Sequence, residues 1–177
     1  QWKRIDILVN NAGIAGPTAA VEEVKLEEWE RTLAVNITGQ FLCGRQTVPL
    51  LKQAGGGSII NMSSVVGRLG MPLRAPYVAS KWAVVGFTKT LAMKLGPHGS
   101  RVNAILPGAV EGERQTAVVR AKAKAIGVSY TELEAELLHS AEAYWSYRHV
   151  TACSSSQQLT DHLGVAVPAA HRQRVIT

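Results

Sequence analysis

The apolar residues of this chain fall into three short unbroken runs, separated by two longer stretches in which they recur at helical spacing. The runs are IDILVN (Ile5–Asn10), SIINMSS (Ser58–Ser64) and RVNAIL (Arg101–Leu106). Short continuous apolar runs are typical of parallel strands covered on both faces, and β-branched Ile59 and Ile60 strengthen the second. After the first run, Glu22–Trp29 reads as a short helix or turn. Leu33, Ile37, Phe41, Leu42 and Val48 then mark a helix from Glu28 to Leu51, with Pro49 expected to kink its last turn. After the second run, Pro76–Leu95 reads as a helix that opens on a proline and stops at Gly96-Pro97. Glycine and proline punctuate the connections 11–18, 53–57 and 65–75.

Strand, helix, strand, helix, strand predicts an α/β fold with right-handed parallel crossovers. In such sheets ligands bind outside the carboxyl ends of the strands. Here those ends are Asn10–Gly13, Ser63 with Ser64, and Pro107 with Gly108, so all three marked places share one edge. Beyond Gly108 the chain turns rich in alanine and charge. Arg114–Ile126 and Thr131–Tyr144 read as helices able to pack as a lid beside that edge. Residues 1–148 are thus expected to form one partial domain, and 149–177 an atypical, weakly ordered tail.

Composition narrows this picture. A chain of 177 residues that is 46% hydrophobic fits one globular domain with a true core. The net charge of +6 is scattered rather than interleaved with aromatics, so nucleic acid is not expected as a partner. The charge suits a phosphate-bearing cofactor or an anionic substrate instead. No run approaches the roughly 18 apolar residues of a membrane span, and no membrane role is expected. Nothing at the start reads as a signal peptide. The chain enters a strand almost at once without an initiator methionine, which predicts an upstream part. Cys43 and Cys153 read as reduced thiols of a cytoplasmic protein, with a single disulfide as the other possibility. His98, His139 and His149 stand apart without ligand spacing, so no metal site is expected.

Candidate chemistry centres on Tyr77 and Lys81, which lie on one face of a helix one turn apart. They are either a surface aromatic with a solvated lysine, or a phenol whose proton affinity a neighbouring ammonium lowers from about 10. Ser64 is either a strand-end hydroxyl capping a turn or a donor to a reacting oxygen. Asn36, in the otherwise apolar LAVNITG, is either a buried hydrogen-bonding residue or a kink that holds a water. Asn10 and Asn11 form a turn or place polar groups beside a cofactor. Trp82 reads as a packing or subunit-contact residue.

Taken together, NNAG at 10–13, Asn36, SS at 63–64, Tyr77-Val-Ala-Ser-Lys81 and PG at 107–108 resemble the short-chain dehydrogenase/reductase family. The separations of 13 residues from Ser64 to Tyr77 and 41 from Asn36 to Tyr77 also match that family. The resemblance covers Ile5 to Val110. It implies a Rossmann-like three-layer α/β/α fold, incomplete at the N-terminus, that moves hydride between NAD or NADP and a ketone or secondary alcohol. Tyr77 would be the acid–base residue, Lys81 would tune it and bind the nicotinamide ribose, Ser64 would hold the reacting oxygen, and Asn36 would position a water. Asn10, Ala12 and Gly13 would line the cofactor cleft, with Tyr77 and Lys81, while Pro107 and Gly108 would border the nicotinamide. A small or lipid-like 3-oxoacyl substrate is the family-level expectation, as is a cytoplasmic homodimer or homotetramer paired through the helices holding Asn36 and Tyr77.

The departures are equally specific. The family's glycine-rich turn after its first strand has no counterpart here, nor has the strand end that selects NAD or NADP. Gly112 stands where many members carry a threonine, and HRQRVIT does not match the family's closing pattern. The alternative is therefore an inactive fragment or scaffold that keeps the catalytic residues without holding the dinucleotide by itself.

Overall fold

The computed structural model describes residues 4–109 and 112–135. The apolar runs become β1 (Ile7–Asn10), β2 (Gly57–Met62) and β3 (Ser100–Ile105), all parallel and in that spatial order. Leu8 lies opposite Ile59, and Ile59 opposite Val102, so alternation puts the three on one face of the sheet. Helices α2 (Gly39–Gln53) and α3 (Ala75–Leu95) cover that face. Leu51, Ala92 and Leu95 close the core against Ile59 and Val102. Enclosing a side chain such as Leu51, which is 0% exposed, stabilises the fold by about 1.5–3 kcal/mol. On the other face Ile7 and Val9 remain 63% and 54% exposed. A third layer would cover them; among the described residues, α2 and α3 pack on the first face.

The helix expected between β1 and β2 is built in three pieces. After a short turn at Val21–Glu23, α1 (Leu26–Leu33) leads into a π-helical turn at Ala34–Thr38, and α2 continues through Pro49 to Gln53. The irregularity therefore falls at Asn36, thirteen residues before the proline expected to cause one. Helix α3 begins one residue before the expected Pro76, with proline in its first turn where a missing N–H costs nothing. Its buried residues Lys81, Val84, Val85, Thr88, Ala92 and Leu95 follow helical spacing.

Strand β2 ends at Met62, two residues short of the expected end, because the chain then turns at Val65–Gly67. That turn presses against α3: a Cβ on Gly67 would stand 2.5 Å from Ser63 Oγ and 2.9 Å from the Lys81 carbonyl. Gly67→Ala is therefore expected to destabilise the protein by about 1–3 kcal/mol. A lower urea midpoint at unchanged slope would register it, and an unaltered midpoint would contradict this close approach.

After β3 the described chain resumes at Gly112, whose φ of 146° and ψ of 171° lie in a region essentially reserved for glycine. The threonine common at this place in the family does not fit that backbone. Helix α4 (Glu113–Ile126) ends on left-handed Gly127, and Val119 and Ala123 form a small apolar cluster with Leu133. Helical backbone resumes over 130–135, the start of the second helix expected here. The rest of that helix, the tail 149–177, Cys153, His139 and His149 lie outside the described residues. Cys43 is exposed and has no sulfur partner among the described residues. Among the described residues, no helix is long and apolar enough to cross a membrane.

Candidate active site

Asn36 is the hub from which the site is built. It is fully buried, and the π-helical turn around it aims its amide toward the chain leaving β1. Its Oδ1 accepts the Ile14 N–H at 2.8 Å, while Nδ2 donates to the Ile14 carbonyl at 3.0 Å and to Ser80 Oγ at 3.0 Å. Ser80 Oγ in turn donates to the Tyr77 carbonyl at 2.7 Å. The post-β1 loop and the first turns of α3 are thus tied through one side chain. Of the two readings of Asn36, the geometry meets that of a buried hydrogen-bonding residue, here at a helix irregularity. Asn36→Ala leaves the Ile14 amide and carbonyl without their partner. We expect a loss of about 2–3 kcal/mol in urea unfolding, with a loss under 0.5 kcal/mol contradicting the hub.

Lys81 lies one turn beyond Tyr77 and is 4% exposed. Its Nζ donates to the Met62 carbonyl, the last residue of β2, at 2.9 Å, and stands 5.5 Å from the centre of the Tyr77 ring. Burial, and secondarily the positive charge of Arg114, push its pKa down from 10.5 to about 8. Gly13 completes this corner: a Cβ there would lie 3.3 Å from Asn36 Oδ1 and 3.6 Å from Lys81 Nζ. The bare glycine keeps the space beside both groups open. Tyr77 is half-buried, and its hydroxyl has no hydrogen-bond partner among the described residues.

The two serines after β2 have different fates. Ser63 Oγ is buried and donates to the Lys81 carbonyl at 2.8 Å, anchoring the strand end to α3. Ser64 Oγ accepts the Val66 N–H at a long 3.4 Å, the turn-capping role, and its own O–H has no acceptor among the described residues. Strand ends β2 and β3 are joined by Ser63 N–H to Ile105 O at 2.8 Å and Val65 N–H to Pro107 O at 3.0 Å. Gly108, Asn11 and Ala12 are exposed along this edge. Asn10 is not: it is 5% exposed, and its Nδ2 donates to Asn61 Oδ1 at 2.8 Å. Asn61 Nδ2 continues to Thr88 Oγ1 at 2.9 Å, so this asparagine locks β1 to β2 and α3 from inside.

Sequence reasoning passed over Ser80, Asn61 and Arg74. Ser80 sits three residues after Tyr77, a spacing that puts its hydroxyl within reach of the Tyr77 carbonyl. Arg74 has the same spacing on the other side, and its guanidinium lies 5.2 Å from the Tyr77 ring centre. Burial pushes the Arg74 pKa below its ordinary value, with Tyr77 opposing that effect and Arg114 adding to it. Trp82 is half-exposed and donates to the Leu69 carbonyl at 3.3 Å. Among the described residues, no group of three His, Cys, Asp or Glu side chains is placed to hold a metal ion.

Parallel strands whose carboxyl ends meet a tyrosine and a buried lysine on one crossing helix define a Rossmann-like α/β domain. A family model described as short chain dehydrogenase matches residues 1–123, and the chain belongs to that family. It is 50% identical over 111 residues to trans-4-hydroxycyclohexanecarboxylate dehydrogenase of Sinomonas cyclohexanicum, covering 63% of this chain and 42% of that protein. It is 50% identical over 107 residues to 3-alpha-(or 20-beta)-hydroxysteroid dehydrogenase of Mycobacterium bovis, covering 60% and 41% respectively. The chain therefore spans less than half the length of these curated relatives. Among solved structures, NAD+-bound xylitol dehydrogenase matches with a TM-score of 0.74 at 32% identity, over 77% of this chain and 55% of that one. Gluconate 5-dehydrogenase from Burkholderia cenocepacia, solved with NADP and tartrate, matches with 0.63 at 36% identity, over 66% and 45%.

Proposed function

We propose that this chain carries the acid–base part of an NAD- or NADP-dependent oxidoreductase that interconverts a ketone and a secondary alcohol. The observation that carries the reading is a half-buried phenol, its hydroxyl unpartnered among the described residues, beside a buried lysine held at the carboxyl end of β2. The open space at Gly13, between Asn36 Oδ1 and Lys81 Nζ, suits the ribose hydroxyls of a nicotinamide nucleotide. Lys81 and Tyr77 would hold that ribose, with Ala12, Gly13, Pro107 and Gly108 along the cleft. Asn10 would contribute through its backbone, because its amide is committed to Asn61.

When bound, the nicotinamide accepts or supplies the hydride. In oxidation, Tyr77 Oη, as the phenolate, would take the alcohol's hydroxyl proton as the carbon gives up its hydrogen with both electrons; in reduction the phenol would return that proton to the carbonyl oxygen. Ser64, its O–H without an acceptor among the described residues, would orient the reacting oxygen. Both Asn36 amide hydrogens are committed to Ile14 and Ser80, so a water joining Lys81 to solvent would be held by acceptor oxygens there.

Relatives named for hydroxycyclohexanecarboxylate and hydroxysteroids make a ring-borne secondary alcohol the first substrate class to try, ahead of a 3-oxoacyl compound. Reduced nicotinamide formation from NAD or NADP with a panel of cyclic alcohols tests the reading, and no turnover across the panel by the folded chain contradicts it. The same reading makes the protein a cytoplasmic homodimer or homotetramer. Phe41 and Leu42 on α2, exposed at 46% and 49%, would be covered in that assembly, and a monomer in light scattering would argue against it.

A further inference from the structure

We propose that Arg74 is a positioning residue for Tyr77, clamping the Ala15–Thr18 loop to the start of α3 and fixing where the phenol ring stands. As a positioning role, this rests on the function proposed above.

Arg74 immediately precedes α3, and its carbonyl accepts the Val78 N–H at 2.9 Å, in the helix's first turn. Its side chain runs the other way. Nη2 donates to the Ala15 carbonyl at 2.7 Å, and Nη1 reaches Thr18 Oγ1 at 2.8 Å, the Pro17 carbonyl at 3.2 Å and the Gly16 carbonyl at 3.4 Å. Four consecutive residues are gathered by one planar fork, which a lysine cannot reproduce. A second link runs beside it, where the Ala19 N–H donates to the Leu73 carbonyl at 3.1 Å. Leu73 has a φ of 64°, a left-handed backbone unusual for a residue with a side chain and persisting where its surroundings hold it.

Arg74 is 3% exposed, and the only ion pair among the described residues joins Arg4 and Asp6. Carbonyl dipoles and the Tyr77 ring, 5.2 Å away, stand in for the counter-ion and for water. Arg74 Nε is buried without a hydrogen-bond partner among the described residues, so the group is placed for its fork and its stack rather than for full satisfaction. The same loop is gripped at its start by Asn36, through Ile14. Asn36 reaches the Tyr77 backbone through Ser80, whereas Arg74 reaches its ring. Together they fix both halves of the residue.

The test compares the intact chain with Arg74→Ala and Arg74→Lys, each with and without Tyr77→Phe. Amide hydrogen exchange reads the clamp directly. Arg74→Ala should speed exchange at Ala19 and Val78 by about tenfold or more, relative to amides of β2. Turnover should fall by about 10–100-fold from misplacement of the phenol, a larger fold-change than the accompanying loss of cofactor affinity. Arg74→Lys should recover less than about a tenth of the lost rate, because it restores charge without the fork. In the Tyr77→Phe background, Arg74→Ala should cost nothing further, since the residue acts through the phenol. Unchanged exchange at Ala19 and Val78, or an equal rate loss with and without Tyr77→Phe, overturns the proposal. If Arg74→Ala does not fold, Arg74→Lys carries both comparisons. If the wild-type chain shows no turnover, the function fails while the exchange arm still decides the clamp.

Discussion

Lys81→Met is expected to raise stability at neutral pH while removing turnover. Lys81 is 4% exposed, and burial takes the pKa of its ammonium from 10.5 to about 8. The folded protein therefore gives up this proton before the unfolded chain does. Between about 8 and 10.5 the unfolded chain binds more protons, so this group's contribution makes stability rise with pH through that window. Below the window the full cost of burying the charge is present. Methionine fills similar space without that cost. Loss of the bond to the Met62 carbonyl offsets part of the gain, leaving about 1 kcal/mol at neutral pH. Urea unfolding of both proteins should show the variant ahead at neutral pH, with the gap closing as pH reaches the upper end of the window. A variant less stable than wild type at neutral pH would mean that the lysine is held by more than its carbonyl. Initial rates supply the second half of the result, because the ammonium that would hold the ribose on the proposed reading is gone.

Tyr77→Phe isolates the proton from everything else the ring does. Phenylalanine keeps the stack with Arg74 and the contact with Lys81, and removes only a hydroxyl that has no partner among the described residues. Stability should stay within about 0.5 kcal/mol of wild type. Turnover should fall by about 10²–10⁴-fold, the usual range for a positioned general acid or base. Normal turnover in the variant would remove Tyr77 from the chemistry and leave Lys81 and Ser64 without the group they serve.

The parts of this arrangement that were legible in the sequence are those encoded locally. The strands could be read because parallel strands buried by helices are apolar without interruption, and each was found within two residues. Tyr77 and Lys81 could be paired because they share one helix face. The π-helical turn was not legible: an extra residue in one turn leaves the apolar rhythm of Leu33, Ile37 and Phe41 intact, and Asn36 was its only trace. The contacts made by Arg74 span 56 to 59 positions, and Asn10 meets Asn61 across 51, so no spacing rule announces them. Asn10 illustrates the limit well. Its place at a strand end suggested an open cleft, whereas register with Asn61 turned its side chain inward. Gly112 shows the reverse case, where a departure from the family pattern matches a backbone only glycine adopts readily.

The most direct test of the central claim, that the strand ends around Gly13, Lys81 and Tyr77 form a nicotinamide site, is titration of the intact chain with NADH and NADPH. Cofactor fluorescence reports binding, and a cooperative urea transition of the same sample establishes that the chain is folded. We predict saturable binding of at least one nucleotide, weakened by Lys81→Met and to a smaller extent by Tyr77→Phe, since both residues would hold the ribose. A folded chain that binds neither nucleotide would contradict the account and leave a scaffold that keeps the catalytic residues without their cofactor.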